Sequence, residues 1–281
     1  MTQRLDATTA AITRRAAHTA PTAPTAPTSN PRPSSGLIWS AKLSAILAAA
    51  LGTASAQAAS EGSCRAQSGA QAPQVVELFT SEGCSSCPPA DRWLSTLKGR
   101  SDVVPLSFHV TYWDRLGWPD RFASPEFTAR QHAAAQRAGS AQVYTPQVLV
   151  NGRDWRIWPK LPASASAPQA TQAPQVELQR EADKVWATVA PLAGRAALSG
   201  YFAVVEDGHQ TAVQAGENAG QNLRHDHVVR VLRPVPGWSA DKGTRVSLSV
   251  LPGQPGFPRR TVFVVQEADT QKPLQAVSLA C

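Results

Sequence analysis

The 281-residue sequence has no run of basic residues, no apolar stretch long enough for a good membrane span, and no second cysteine pair at metal-binding spacing. The formal charge is +7, but residues 1–58 hold five basic side chains (Arg4, Arg14, Arg15, Arg32, Lys42) against Asp6, leaving +3 for the remainder. Scattered charge of that size argues against nucleic acid as a partner. The longest apolar run, Leu37 to Leu51, is interrupted by Lys42 and is short for a bilayer. The glycines of Gly216–Gly220 precede no helix, so they read as a turn and not as a phosphate loop. With one cysteine pair at close spacing, zinc is disfavoured and no resident metal or cofactor is expected.

What is present begins with a targeting pattern. Residues 7–35 are a polar Ala/Thr/Pro/Ser tract, the apolar run follows, and Ala56-Gln57-Ala58 fits a small-x-small cleavage site. Residues 1–58 thus read as a signal segment and the mature chain as periplasmic or secreted, without a stable membrane span; retention as an N-terminal anchor is the alternative. Four cysteines then remain, an even number that suits an oxidising compartment. Cys64 and Cys281 lie near the two mature ends, and a structural disulfide between them is expected.

The stretch Glu77-Leu78-Phe79-Thr80-Ser81-Glu82-Gly83-Cys84-Ser85-Ser86-Cys87-Pro88-Pro89 carries the chemistry. It reads as a strand over Gln74–Thr80, a turn, and two cysteines at the mouth of a helix that starts either before them or after Pro88. A helix N-terminus favours a thiolate, and a pair at this spacing can cycle between dithiol and disulfide. A second strand covers Val103–Val110. A helix opens with Ser124 as its cap and Pro125 at its first position. A third strand follows Pro146 and turns back at Asn151-Gly152.

After a polar lead-in at 59–73, the first domain is set at 74–158, a Pro/Ala/Ser linker at 159–175, and a second domain at 176–281. The second domain shows short alternating runs, among them Leu198–Val205, Val228–Leu232 and Thr261–Gln266, separated by turn residues, as in an antiparallel β-sandwich.

The order strand, C-x-x-C, strand, helix and Thr145-Pro146 before a strand resembles the thioredoxin fold. More closely, the chain resembles a secreted bacterial thioredoxin-like family of unknown function. That likeness is carried by the GCSSCPPAD motif, by Tyr112-Trp113-Asp114 with Leu116-Gly117-Trp118, by Tyr144-Thr145-Pro146-Gln147, and by Gly216-Glu217-Asn218-Ala219-Gly220 with Val228-Val229-Arg230. It implies an α/β thioredoxin-like domain plus a C-terminal all-β sandwich-like domain, with a cis proline facing the sulfurs. Leu78 stands where thioredoxins carry a buried carboxylate, with Glu77 beside it directed to the other face.

The expected function is an exported thiol–disulfide oxidoreductase. Cys84 attacks, Cys87 resolves, and Thr145, Pro146, Tyr144 and Trp113 position a protein or peptide thiol or disulfide substrate. Two alternatives stay open. One is a non-catalytic binding module with a structural disulfide; the other is a copper metallochaperone using Cys84, Cys87 and His109. His109 alone reads as a core residue, and His225-Asp226-His227 as part of a solvated strand or loop. Oligomeric state is not legible.

Overall fold

The computed structural model describes residues 64–161, 173–195, 197–250, 253 and 255–281. The signal segment, residues 59–63 of the lead-in and the centre of the Pro/Ala/Ser tract lie outside those residues. In chain order the elements are β1 (Arg65–Gln67), β2 (Gln74–Thr80), α1 (Pro88–Ser95), β3 (Val103–His109), a 3-10 helix (Thr111–Leu116), α2 (Pro125–Arg137), β4 (Gln147–Val150) and β5 (Arg153–Asp154). There follow β6 (Val176–Glu181), β7 (Lys184–Val189), β8 (Ala197–Glu206), β9 (His209–Ala212), β10 (Asn222–His225), β11 (Val228–Ser239), β12 (Thr244–Ser249), β13 (Arg259–Glu267) and β14 (Pro273–Leu279).

Local chemistry sets several of these. Every residue of β2 and of β3 is buried, which suits parallel strands covered on both faces. The two run parallel from Gln74 opposite Val103 to Thr80 opposite His109. Ser124 caps α2 by accepting from Glu126 N–H at 3.2 Å, with Pro125 at the first turn where its missing donor costs nothing. Asn151 and Gly152 both have positive φ, 49° and 78°, and close the β4–β5 turn.

The expected layout, an α/β thioredoxin-like domain beside an all-β sandwich-like domain, is overturned. Strands dominate the described residues, and eight of them form one sheet in the order β14-β13-β8-β11-β3-β2-β4-β5. Val228 of β11 lies opposite Ser107 of β3 in parallel, and Ser107 N–H donates to His227 O at 2.8 Å. The open edge of β3 is thus occupied by a strand from the second half of the chain. One core cluster joins Val75, Phe79, Leu106 and Phe108 to Tyr201, Ala203, Val205, Val262 and Val264.

A second sheet, β1-β6-β7-β12, packs through Leu178, Val185 and Ala187 against Phe202, Phe263 and Val277 of the first. No helix follows Trp158 at the position of β6; that segment is strand. Residues 65–67 of the lead-in are themselves strand, paired with Glu177–Gln179. Glu77 points away from α1 and pairs with Arg130 of α2 at 2.6 Å, the guanidinium lying 4.3 Å over the Tyr201 ring. Among the described residues no helix is long and apolar enough to cross a membrane.

Cys64 and Cys281 are joined by a disulfide across 217 positions of sequence. Closing so long a loop restricts the unfolded chain by up to about 5 kcal/mol. The double replacement Cys64→Ser/Cys281→Ser is expected to lower the unfolding free energy by several kcal/mol in urea titrations. A change below about 1 kcal/mol would show that this bridge adds little.

Candidate functional site

The helix begins at Pro88, after both cysteines, with Cys87 as its N-cap residue. Cys84 therefore sits in the preceding turn and not on the helix. The turn is hydrogen-bonded step by step: Cys84 N–H donates to Ser81 O at 3.1 Å and Cys87 N–H to Cys84 O at 3.2 Å. Gly83 leaves room for Trp113, whose Cβ would lie only 3.0 Å from a glycine-replacing Cβ. Cys84 and Cys87 form a disulfide, and both residues are 0 % exposed. Ser85 and Ser86 between them face solvent.

Thr145 and Pro146, joined by a cis peptide bond, stand against this turn. Thr145 Oγ1 donates to Cys84 Sγ at 3.2 Å and accepts from Trp113 Nε1 at 2.8 Å. Ser86 Oγ lies 3.5 Å from both Cys84 Sγ and Thr145 O. Tyr144 is held from the other side: its carbonyl accepts from Gln131 Nε2 at 2.8 Å and its hydroxyl donates to Asp154 at 2.6 Å. Burial, then the Asp154 carboxylate, pushes the Tyr144 phenol up to about 12. Cys84, Cys87, Thr145, Pro146, Tyr144 and Trp113 are thus placed around one turn, while Cys64 and Cys281 belong to the separate bridge.

Behind the disulfide lies a buried polar cluster that the sequence hardly announces. His109 Nδ1 meets Asp120 Oδ2 at 2.7 Å, both side chains 0 % exposed. Burial would push the carboxyl of Asp120 up, but the positive charge and hydrogen bond of His109, with backbone N–H groups of Glu82 and Phe122, hold it down at about 2. Burial likewise pushes His109 down, yet the charge of Asp120 prevails and raises it. His225 packs edge-on to His109 with ring centres 5.0 Å apart, and its Nε2 lies 3.3 Å from Glu82 Oε1. Trp118 Nε1 donates to the other Glu82 oxygen at 2.8 Å.

Asp91, one helical turn beyond Cys87, is also buried; desolvation raises it, opposed by the charges of His225 and His109 and by a hydrogen bond from Thr80. His225 and His227 are each 2 % exposed, so the expectation of a solvated H-x-H segment fails. His227 adopts positive φ, 61°, and its backbone N–H donates to Asp207 Oδ1. Among the described residues no group of three His, Cys, Asp or Glu side chains is arranged to hold a metal ion.

The turn at Gly216–Gly220 proves to be the roof of the site. It tips the β9–β10 hairpin, a two-stranded sheet separate from the other two. Asn218 Nδ2 donates to Glu82 O at 2.8 Å and to Cys84 O at 2.9 Å, while Glu217 accepts from Ser85 N–H at 3.0 Å and Ser85 Oγ–H at 2.7 Å. These contacts span more than 130 positions, so only the quoted family pattern around Asn218 marked the segment at all.

Residues 75–266 match the model of a family described as Protein of unknown function (DUF1223). The chain belongs to this family. A crystal structure of a protein from Agrobacterium tumefaciens is 30% identical over 74% of this chain and 93% of that one, with a TM-score of 0.58. HBP35 of Porphyromonas gingivalis aligns over 75% of this chain and 76% of its own at 14% identity, with a TM-score of 0.44, too slight a likeness to carry meaning here. No curated protein matches. Family membership brings no substrate with it.

The Asp120–His109 pair has a pH signature. A carboxylate whose folded value lies near 2 adds stability above its ordinary value of 3.8 and loses it as the pH falls toward 2. Asp120→Asn is expected to cost about 3–5 kcal/mol at neutral pH, because His109 is left buried without its partner. It should also flatten part of the acid limb between pH 4 and 2 in urea titrations. An unchanged acid limb would remove Asp120 from the account of acid stability.

Proposed function

We propose that this protein exchanges disulfides with thiol-bearing polypeptides through Cys84 and Cys87. The observation that carries the reading is the Thr145 hydroxyl donating to Cys84 Sγ, which polarises one sulfur of the pair and not the other. In the forward step a substrate thiolate attacks Cys84 Sγ and forms a mixed disulfide. The Cys84–Cys87 bond breaks, and its electron pair leaves on Cys87, which then takes a proton. In the second step a further thiolate from the substrate attacks the mixed disulfide at the substrate sulfur. Cys84 leaves as thiolate and takes a proton, the substrate is oxidised to a disulfide, and Cys87 and Cys84 are left as thiols.

Loop size also favours chemistry over bracing. By the same chain-entropy relation, a bridge between residues three apart restricts the unfolded chain by about 2 kcal/mol, far less than the terminal bridge. Buried ionisable groups gathered behind a reactive pair are a recurrent mark of functional sites. Two disulfides in one chain go with an exported, oxidising setting, which forms part of the proposal.

A second reading, a binding module with a permanent disulfide, is favoured by the zero exposure of both sulfurs. The two separate by trapping. With Cys87→Ser, Cys84 has no intramolecular partner, and its thiolate is expected to attack disulfide-bearing polypeptides and accumulate as mixed disulfides, the second substrate sulfur leaving as a thiolate; the adducts are resolved by dithiothreitol and detected by mass. Thr145→Val should slow trapping about tenfold, the loss of one hydrogen bond to a sulfur near a charge-developing step. Absence of any adduct on Cys87→Ser, with the thiol of Cys84 free and the protein folded, would favour the binding module.

A further inference from the structure

We infer that the tip of the β9–β10 hairpin is a latch, with Asn218 as the positioning residue that closes it over the Cys84–Cys87 disulfide. The inference rests on the exchange reading above and adds its regulation. Both sulfurs are fully buried although Ser85 and Ser86 between them are exposed. Thr145 lies against Cys84 Sγ from one side, and the hairpin tip is hydrogen-bonded to the turn at Glu82, Cys84 and Ser85.

The latch is held by polar groups at its tip. Asn218 is 5 % exposed and spends both Nδ2 hydrogens on the carbonyls of Glu82 and Cys84. Glu217 is fully exposed and takes the N–H and hydroxyl of Ser85. Gly216, at φ 76°, approaches Trp118 so closely that an added Cβ would meet the Trp118 Cβ at 3.3 Å.

The tip is also a unit by itself. Val213 N–H donates to Gln221 O, Gly220 N–H to Val213 O and Gln221 N–H to Asn218 O, at 2.8 to 3.0 Å. Its strands pair only with each other in the described sheets. The stem, by contrast, is anchored: His225 lies against His109 and Phe122, and His209 against Phe122 and Phe257, with ring centres 4.1 to 5.5 Å apart. A hairpin with a stem packed through its buried histidine rings and a tip held by side-chain hydrogen bonds can lift at the tip while its base stays packed. Lifting breaks the Asn218 and Glu217 contacts and opens Cys84 to an incoming thiolate. Segments that move in function come from such locally weak units.

The test measures access and not exchange with a partner. The oxidised full-length protein is treated with excess dithiothreitol, quenched by alkylation at intervals, and each disulfide is followed by peptide mass, the Cys64–Cys281 bridge serving as internal reference. Asn218→Ala removes both donors; Asn218→Asp keeps the size but cannot donate when ionised. Both are expected to speed reduction of Cys84–Cys87 about tenfold or more, with the Cys64–Cys281 rate unchanged. Glu217→Ala, at an exposed position where misfolding is not a concern, should speed it several-fold.

Rates within twofold of wild type in Glu217→Ala and in a folded Asn218 variant would overturn the latch. Equal acceleration of both disulfides would overturn it too, since that is the mark of general loosening. A variant that is reduced quickly while Cys87→Ser traps nothing leaves the latch standing and removes the exchange reading. Trapping by Cys87→Ser with no response of the reduction rate to the latch variants does the opposite.

Discussion

A buried turn must find a partner for each of its peptide groups, and the region from Glu82 to Ser85 is built around that constraint. Asp120 serves the N–H of Glu82, the Ser81 hydroxyl that of Gly83, the Ser81 carbonyl that of Cys84, and Glu217 that of Ser85. Asn218 serves the carbonyls of Glu82 and Cys84. Two distant parts of the chain, the loop at Asp120 and the hairpin tip at Glu217 and Asn218, are recruited to one short crossing from β2 to α1. The hairpin tip thus meets the backbone of the turn, while Thr145 and Ser86 lie against Cys84 Sγ.

The same constraint couples the two halves of the chain. The hairpin that supplies Asn218 leads directly into β11, whose registered pair with β3 extends the sheet. His225, at the end of that hairpin, sits against Glu82 and His109. The hairpin tip, His225 of the polar cluster and the start of β11 at the sheet seam are therefore neighbours in sequence within residues 209–228.

Much of the local structure was legible in the residues. The apolar runs of β2 and β3, the Ser124-Pro125 start of α2 and the Asn151-Gly152 turn follow from periodicity, capping and backbone preference, all set within a few residues. The arrangement of strands was not. Alternation along Val228–Leu232 says that a strand forms but not that its neighbour is β3, so the chain read as two domains where one sheet runs through. The helix start was ambiguous because prolines stand at both first positions.

The candidate site was half legible: the cysteine spacing and Thr145-Pro146 marked one wall. Asp91, His225, Glu217 and Asn218 were not assigned to it, because their roles depend on contacts that no local pattern encodes. His109 reads as an ordinary core residue until Asp120 is seen beside it.

The central claim is that the Cys84–Cys87 bond is made and broken under physiological conditions and is not a permanent brace. Its reduction potential tests this most directly, measured by equilibrating the protein with glutathione buffers of graded ratio and counting thiols at each pair by mass. A midpoint for Cys84–Cys87 above about −300 mV, within reach of the glutathione couple, is expected. A pair that stays oxidised in every such buffer, given time to equilibrate, would contradict it.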